Sequence, residues 1–100
     1  MPRQVLIDPI LADRTNEWAR RIIRVAMTGK GFSYADLARL LVGVGIHDNE
    51  RNLRNKVSRG EFSAAFLLTC LKVMGVKSID LEDWNPDKDD GVTLDGRKRT

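Results

Sequence analysis

The chain has 100 residues, with 17 Lys+Arg against 14 Asp+Glu, a formal net charge of +3 and 42% hydrophobic residues. That length supports one domain with a small core, and one Cys with one His excludes an internal disulfide and a protein-only zinc site of three or four ligands. No apolar run approaches the ~20 residues that span a bilayer, and the opening Met-Pro-Arg-Gln-Val lacks a secretory pattern, so a reduced, cytoplasmic domain without membrane attachment is expected.

Residues 1–14 form an N-terminal arm in which Val5, Leu6, Ile7, Ile10 and Leu11 need apolar cover. Asp8-Pro9 is a cap followed by a first-turn proline, so a helical turn starts there. The first clear helix covers 16–28, where Trp18, Ala19, Ile22, Ile23 and Ala26 recur at three-to-four spacing. Arg20 and Arg24 lie on its polar side, and Gly29-Lys30-Gly31 ends it. Ser33 caps a second helix, with Asp36 completing a capping box. Tyr34, Leu37, Ala38, Leu41 and Val42 make its apolar stripe, and a connection over 43–47 follows.

Asp48 caps a third helix, 49–58, closed by Gly60. Only Leu53 and Val57 are apolar inside it, so at ~100° per residue Arg51, Asn55 and Ser58 point away from the core. Asn52 and Arg59 fall to one side of that face and Arg54 to the other. Ser63 caps a fourth helix, 64–74, whose uncharged, nearly all-round apolar surface predicts a central, buried element with Cys70 as a core residue. Ile79, Leu81 and Trp84 form a last short turn over the core edge. Residues 85–100 read as a polar, flexible tail, in which Val92-Thr93-Leu94 has the composition of a short edge strand that could pair with Val5-Leu6-Ile7.

No enzymatic constellation appears, and no cofactor is implied. There is no glycine-rich phosphate loop. His47 lies in a connection without catalytic partners, and Asp80, Glu82 and Asp83 read as a solvated helix cap. Asp87-Lys88-Asp89-Asp90-Gly91 lacks the spaced ligands and closing Glu of a calcium loop. Charge, however, is segregated: ten basic residues against four acidic ones give +6 over 14–60. A capped amphipathic helix, a turn, a polar basic helix and a capped apolar helix, in that order, suit an all-α helix-turn-helix domain of four to five helices. Arg and Asn match guanine and adenine edges, which makes Arg51, Asn52, Asn55 and Arg59 the expected base contacts. Arg24, Lys30, Arg54 and Lys56 are the expected phosphate contacts.

Gly31-Phe32-Ser33-Tyr34-Ala35-Asp36-Leu37-Ala38 resembles the start of the motif in lambda-repressor-like (Xre-type) domains. Phe62-Ser63, Phe66-Leu67-Leu68 and Leu71 with Met74-Gly75-Val76 resemble the helix that follows recognition in that superfamily. The wider string Trp18-Ala19-Arg20-Arg21, 33–38, Glu50-Arg51-Asn52-Leu53-Arg54-Asn55-Lys56-Val57-Ser58-Arg59-Gly60 and 62–68 is similar to a small bacterial family catalogued as a domain of unknown function. The resemblance covers about residues 16 to 76 and implies the helical fold and, by analogy, a homodimer on paired half-sites. One departure is measurable: Ala38 and Leu53 are 15 positions apart, about five more than a three-to-four-residue turn requires.

The expected organisation is an arm over 1–14, a helix-turn-helix domain over 15–84 and a tail over 85–100. The expected function is sequence-specific double-stranded DNA binding by a transcriptional regulator. The rival is a protein-interaction module whose basic face merely solvates. RNA binding is less favoured because the third helix carries no aromatic residue for stacking, and an enzyme is least favoured.

Overall fold

The computed structural model describes residues 9–84 and 91–99, and the chain is mostly helical with one small antiparallel sheet. Four helices come in order: α1 (Pro9–Lys30), α2 (Tyr34–Val42), α3 (Glu50–Arg59) and α4 (Ala64–Val73). A 3-10 turn (Leu81–Asp83) and a hairpin of β1 (Val92–Leu94) and β2 (Arg97–Arg99) follow. The part of the arm at 1–8, including Val5-Leu6-Ile7, and residues 85–90 of the tail lie outside the described residues.

Local chemistry sets the helix limits. Pro9 opens α1, so the helix takes in residues 9–14 that had been assigned to the arm. Ser33 caps α2 with a complete capping box, its hydroxyl accepting from the Asp36 amide while Asp36 accepts from the Ser33 amide. That backbone hydrogen bond holds the Asp36 carboxyl below the usual carboxylate range. Ser63 caps α4 by accepting from the Phe66 amide.

The core joins Ile22, Ile23, Ala26 and Met27 of α1 to Leu37 and Leu41 of α2. Leu53 and Val57 of α3 complete it with Phe66, Cys70 and Leu71 of α4. α1 and α2 each pack against both α3 and α4. Cys70 is a core residue, and burial pushes its thiol up to about 12. α4 is less central than its composition suggests. Phe66, Cys70 and Leu71 are buried, but Leu68 is 59% exposed. A ten-residue helix at the side of the bundle has neighbours on one face only, so all-round apolarity does not produce all-round burial.

The C-terminal segment corrects a second expectation. Residues 91–99 are not a loose tail: Val92 and Leu94 enter the core, and β1 pairs with β2 in the register Val92↔Arg99, Thr93↔Lys98, Leu94↔Arg97. Asp95 and Gly96 both have positive φ, 55° and 79°, the conformation of a two-residue hairpin turn. On its other edge β1 is bridged by Ile79 opposite Leu94, with Asp80 N donating to Thr93 O.

Two carboxylates pin this hairpin. Asp83, expected in a solvated cap, is buried and accepts from Thr93 N at 2.6 Å and Lys98 Nζ at 2.8 Å. Asp95 accepts from Lys77 N at 2.6 Å and Lys30 Nζ at 2.9 Å. Trp84 stacks on Trp18 at 5.6 Å between ring centroids, holding the 3-10 turn to α1.

Gly60 ends α3 at φ 68°, and a Cβ there would lie 2.8 Å from the Asn16 carbonyl oxygen of α1. Gly60→Ala should therefore lower stability by about 1–3 kcal/mol in urea unfolding; a neutral result would mean that α1 and α3 are not this close. Hydrogen bonds from Lys98 and Thr93 depress the Asp83 carboxyl in the folded chain. Their stabilisation is present above the unfolded value and is lost as pH falls below about 4 through the folded value. Asp83→Asn should flatten that acid limb, and an unchanged limb would remove Asp83 as its source.

Candidate functional site

α3 is built to be exposed. Leu53 and Val57 are its only buried residues, both fully inaccessible. Arg51, Asn52, Arg54, Asn55, Ser58 and Arg59 are exposed, and Lys56 is half-buried. The cap is Asn49 rather than Asp48: its side-chain oxygen accepts from Asn52 N at 2.8 Å. Both types can cap, but Asn49 is the extended residue immediately before the first helical turn. Asp48 instead reaches along the helix, accepting from Lys56 Nζ at 3.2 Å and Asn52 Nδ2 at 3.5 Å. Glu50 at the start and Lys56 and Arg59 at the end complement the helix dipole.

The two flanks of α3 are hollows. One, of about 370 Å³, is lined by Asn52, Asn55, Lys56 and Arg59 with the acids Asp48 and Glu61. The other, of about 350 Å³, brings Arg54 to Arg24, with Tyr34 and Glu50 also in its wall. The expected contacts thus divide into two groups around one helix, and Arg51 is exposed on the helix itself. Lys30 does not join them. Its ammonium is held by Asp95 in the hairpin turn and by the Gly75 carbonyl after α4.

These side chains differ in how far they are already engaged. Arg54 pairs with Glu50 at 2.7 Å, with its guanidinium 5.3 Å from the Tyr34 ring centroid. Lys56 pairs with Asp48, its ammonium 4.7 Å from the centroid of Phe66. Among the described residues, Arg51, Asn55 and Arg59 have no side-chain hydrogen bond or ion pair. Donors that are free and solvent-facing can form new hydrogen bonds without breaking old ones.

Sequence reasoning missed the bracing. Arg20, bound to Glu17, donates to the Ser58 carbonyl in the last turn of α3 at 3.3 Å. No local pattern marks that contact, which spans 38 positions. His47 lies exposed in the connection. Among the described residues no group of His, Cys, Asp and Glu could hold a metal ion, and no helix is long and apolar enough to cross a membrane.

The model of one family, described as Domain of unknown function (DUF6471), matches residues 16–79. No curated protein and no solved structure matches the chain.

Removing the cap should fray α3. Asn49→Ala is expected to cost about 1 kcal/mol in urea unfolding, whereas Asp48→Ala, which releases the half-buried Lys56 pair and the long Asn52 contact but no backbone amide, should cost less. The reverse order would return the cap to Asp48.

Proposed function

The chain belongs to the DUF6471 family, whose description assigns no activity, and we propose from the geometry of α3 that it binds double-stranded DNA in a sequence-specific manner. One observation carries this reading: α3 buries only Leu53 and Val57, while Arg51, Asn55 and Arg59 face solvent with no partner among the described residues. A helix entering the major groove must expose most of its circumference in this way.

The roles divide by chemistry. Arg51 and Arg59 can each reach two acceptors on guanine, and Asn52 and Asn55 can match the donor and acceptor of adenine. Arg24 and Arg54, across the other hollow, suit phosphate contacts that fix register without reading sequence. Lys56, half-buried and paired with Asp48, can serve a phosphate only at the margin. Lys30 is spent on the hairpin and is withdrawn from the phosphate set. In this reading the fold is lambda-repressor-like, α2 and α3 form the helix-turn-helix, and the protein is a homodimeric transcriptional regulator on paired half-sites. The longer connection is supported by turn hydrogen bonds from Val44 N and Ile46 N to the Leu41 carbonyl, with Ile46 packed on the core. It changes how α2 meets the duplex more than it changes what α3 presents.

The rival protein-interaction reading is favoured by Val42 and Val44, 47% and 55% exposed at the end of α2. Titration against a random-sequence duplex pool separates the two. If about four phosphates are neutralised, affinity should fall about 100-fold between about 50 and 200 mM salt. No binding at the lower salt would sink the DNA reading. On a site selected from that pool, Arg51→Ala or Asn55→Ala should cost roughly 1–3 kcal/mol of discrimination. Equal losses on selected and random duplex would instead assign both residues to the backbone.

A further inference from the structure

A solvent-open cavity of about 400 Å³ lies between the C-terminal half of α1 and the hairpin. Its apolar lining is Val25, half-buried and partly accessible, with Ala26 and Leu94 almost inaccessible at 1% and 6% exposure. Its charged part contains three cations, Lys30, Lys77 and Arg97, and one carboxylate, Asp95. The carboxylate is already answered: one oxygen takes the Lys77 amide and the other takes the Lys30 ammonium. Those hydrogen bonds also hold the Asp95 carboxyl below the usual range, so it stays ionised and committed to them near neutral pH. Among the described residues, the Lys77 and Arg97 side chains have no hydrogen bond or ion pair.

We propose that this cavity binds a small organic carboxylate with a compact apolar body. Lys77 and Arg97 supply uncompensated positive charge beside the accessible apolar side of Val25. The guanidinium fork matches a carboxylate in a bidentate manner, and the ammonium adds a point charge. The volume is that of a small-molecule site, where apolar walls supply contact area and a few polar groups fix orientation. A bare phosphate would satisfy the cations but leave the apolar wall wet. Leu94, Asp95 and Arg97 lie beyond the 16–79 segment matched by the family. The hairpin therefore completes a site whose other walls come from α1 and Lys77, and the site stands independently of DNA binding.

The test is an amide NMR titration of the full chain with benzoate, and separately with inorganic phosphate. Benzoate should give saturable shifts confined to residues 25–30, 77 and 94–97. Arg97→Gln and Lys77→Gln, both at exposed positions, should each weaken it about tenfold, the worth of one charge-assisted hydrogen bond. Unchanged spectra elsewhere would show that the variants fold. No saturable shift, shifts centred on α3, or affinity untouched by both variants would overturn the site. Phosphate binding there as tightly as benzoate would overturn the ligand class.

Discussion

The attachment of α3 through two side chains is the constraint on which the rest of the structure depends. Leu53 and Val57 are fully buried and one turn apart, and each buried aliphatic contributes about 1.5–3 kcal/mol. A wider apolar stripe would hold the helix more firmly but would take Arg51, Asn55 or Arg59 out of solvent. The narrow seam is what leaves those donors free, and it makes the polar contacts at the helix ends a large share of what keeps α3 in place.

Those contacts come from both ends. At the start, Asn49 caps the first turn, and Asp48 accepts from Asn52 in that turn and from Lys56 in the next. At the finish, Arg20 reaches from α1 to the Ser58 carbonyl, and Gly60 lets the α1 backbone come close at Asn16. A neutral hydrogen bond such as the Asn49 cap is worth about 1 kcal/mol net, and one from a charged group about 1.5–3 kcal/mol, so no one brace matches the two buried aliphatics together. Their distribution matters more than their sum, because a helix fixed at both ends cannot rotate about its two-residue contact line. The orientation of the exposed face is then set by α1 and the 43–49 connection as much as by α3 itself.

Much of this was legible in the chain. Three-to-four spacing marked the four helices and most of their inward residues, with Val42 of the α2 stripe left exposed beyond the core, and the Ser33 and Ser63 caps were readable because capping chemistry is local. The two sides of α3 were also readable, since placing Leu53 and Val57 inward already separates Asn52 and Arg59 from Arg54. Apart from the one-residue shift of the α3 cap from Asp48 to Asn49, most of what failed was non-local. Nothing near Lys30 announces Asp95, and nothing near Asp83 announces Lys98. The hairpin had a signal that composition masked: Asp95-Gly96 between two short runs is a strong turn pair, but the surrounding charges made the segment read as tail. Leu68 erred in the other direction, because periodicity reports how apolar a helix is, not how many neighbours it has.

The matched family segment, 16–79, contains all of α2, α3 and α4 but not the hairpin. Yet Val92 and Leu94 are core residues, and α1 packs against β1. The hairpin therefore covers apolar surface of the helical unit from outside the matched segment. A three-residue strand pair is too small to be stable alone, so its position rests on what it docks against: the two carboxylates, the Ile79 bridge and the Trp18–Trp84 stack. Lys30 is the point where the two parts meet. It lies at the end of the helix that braces α3, and its charge is fixed by the turn of the hairpin. The pair it makes with Asp95 leaves Lys77 and Arg97 as the uncommitted charges of the neighbouring cavity, while α1 also reaches α3 at the other side through the Arg20–Ser58 hydrogen bond.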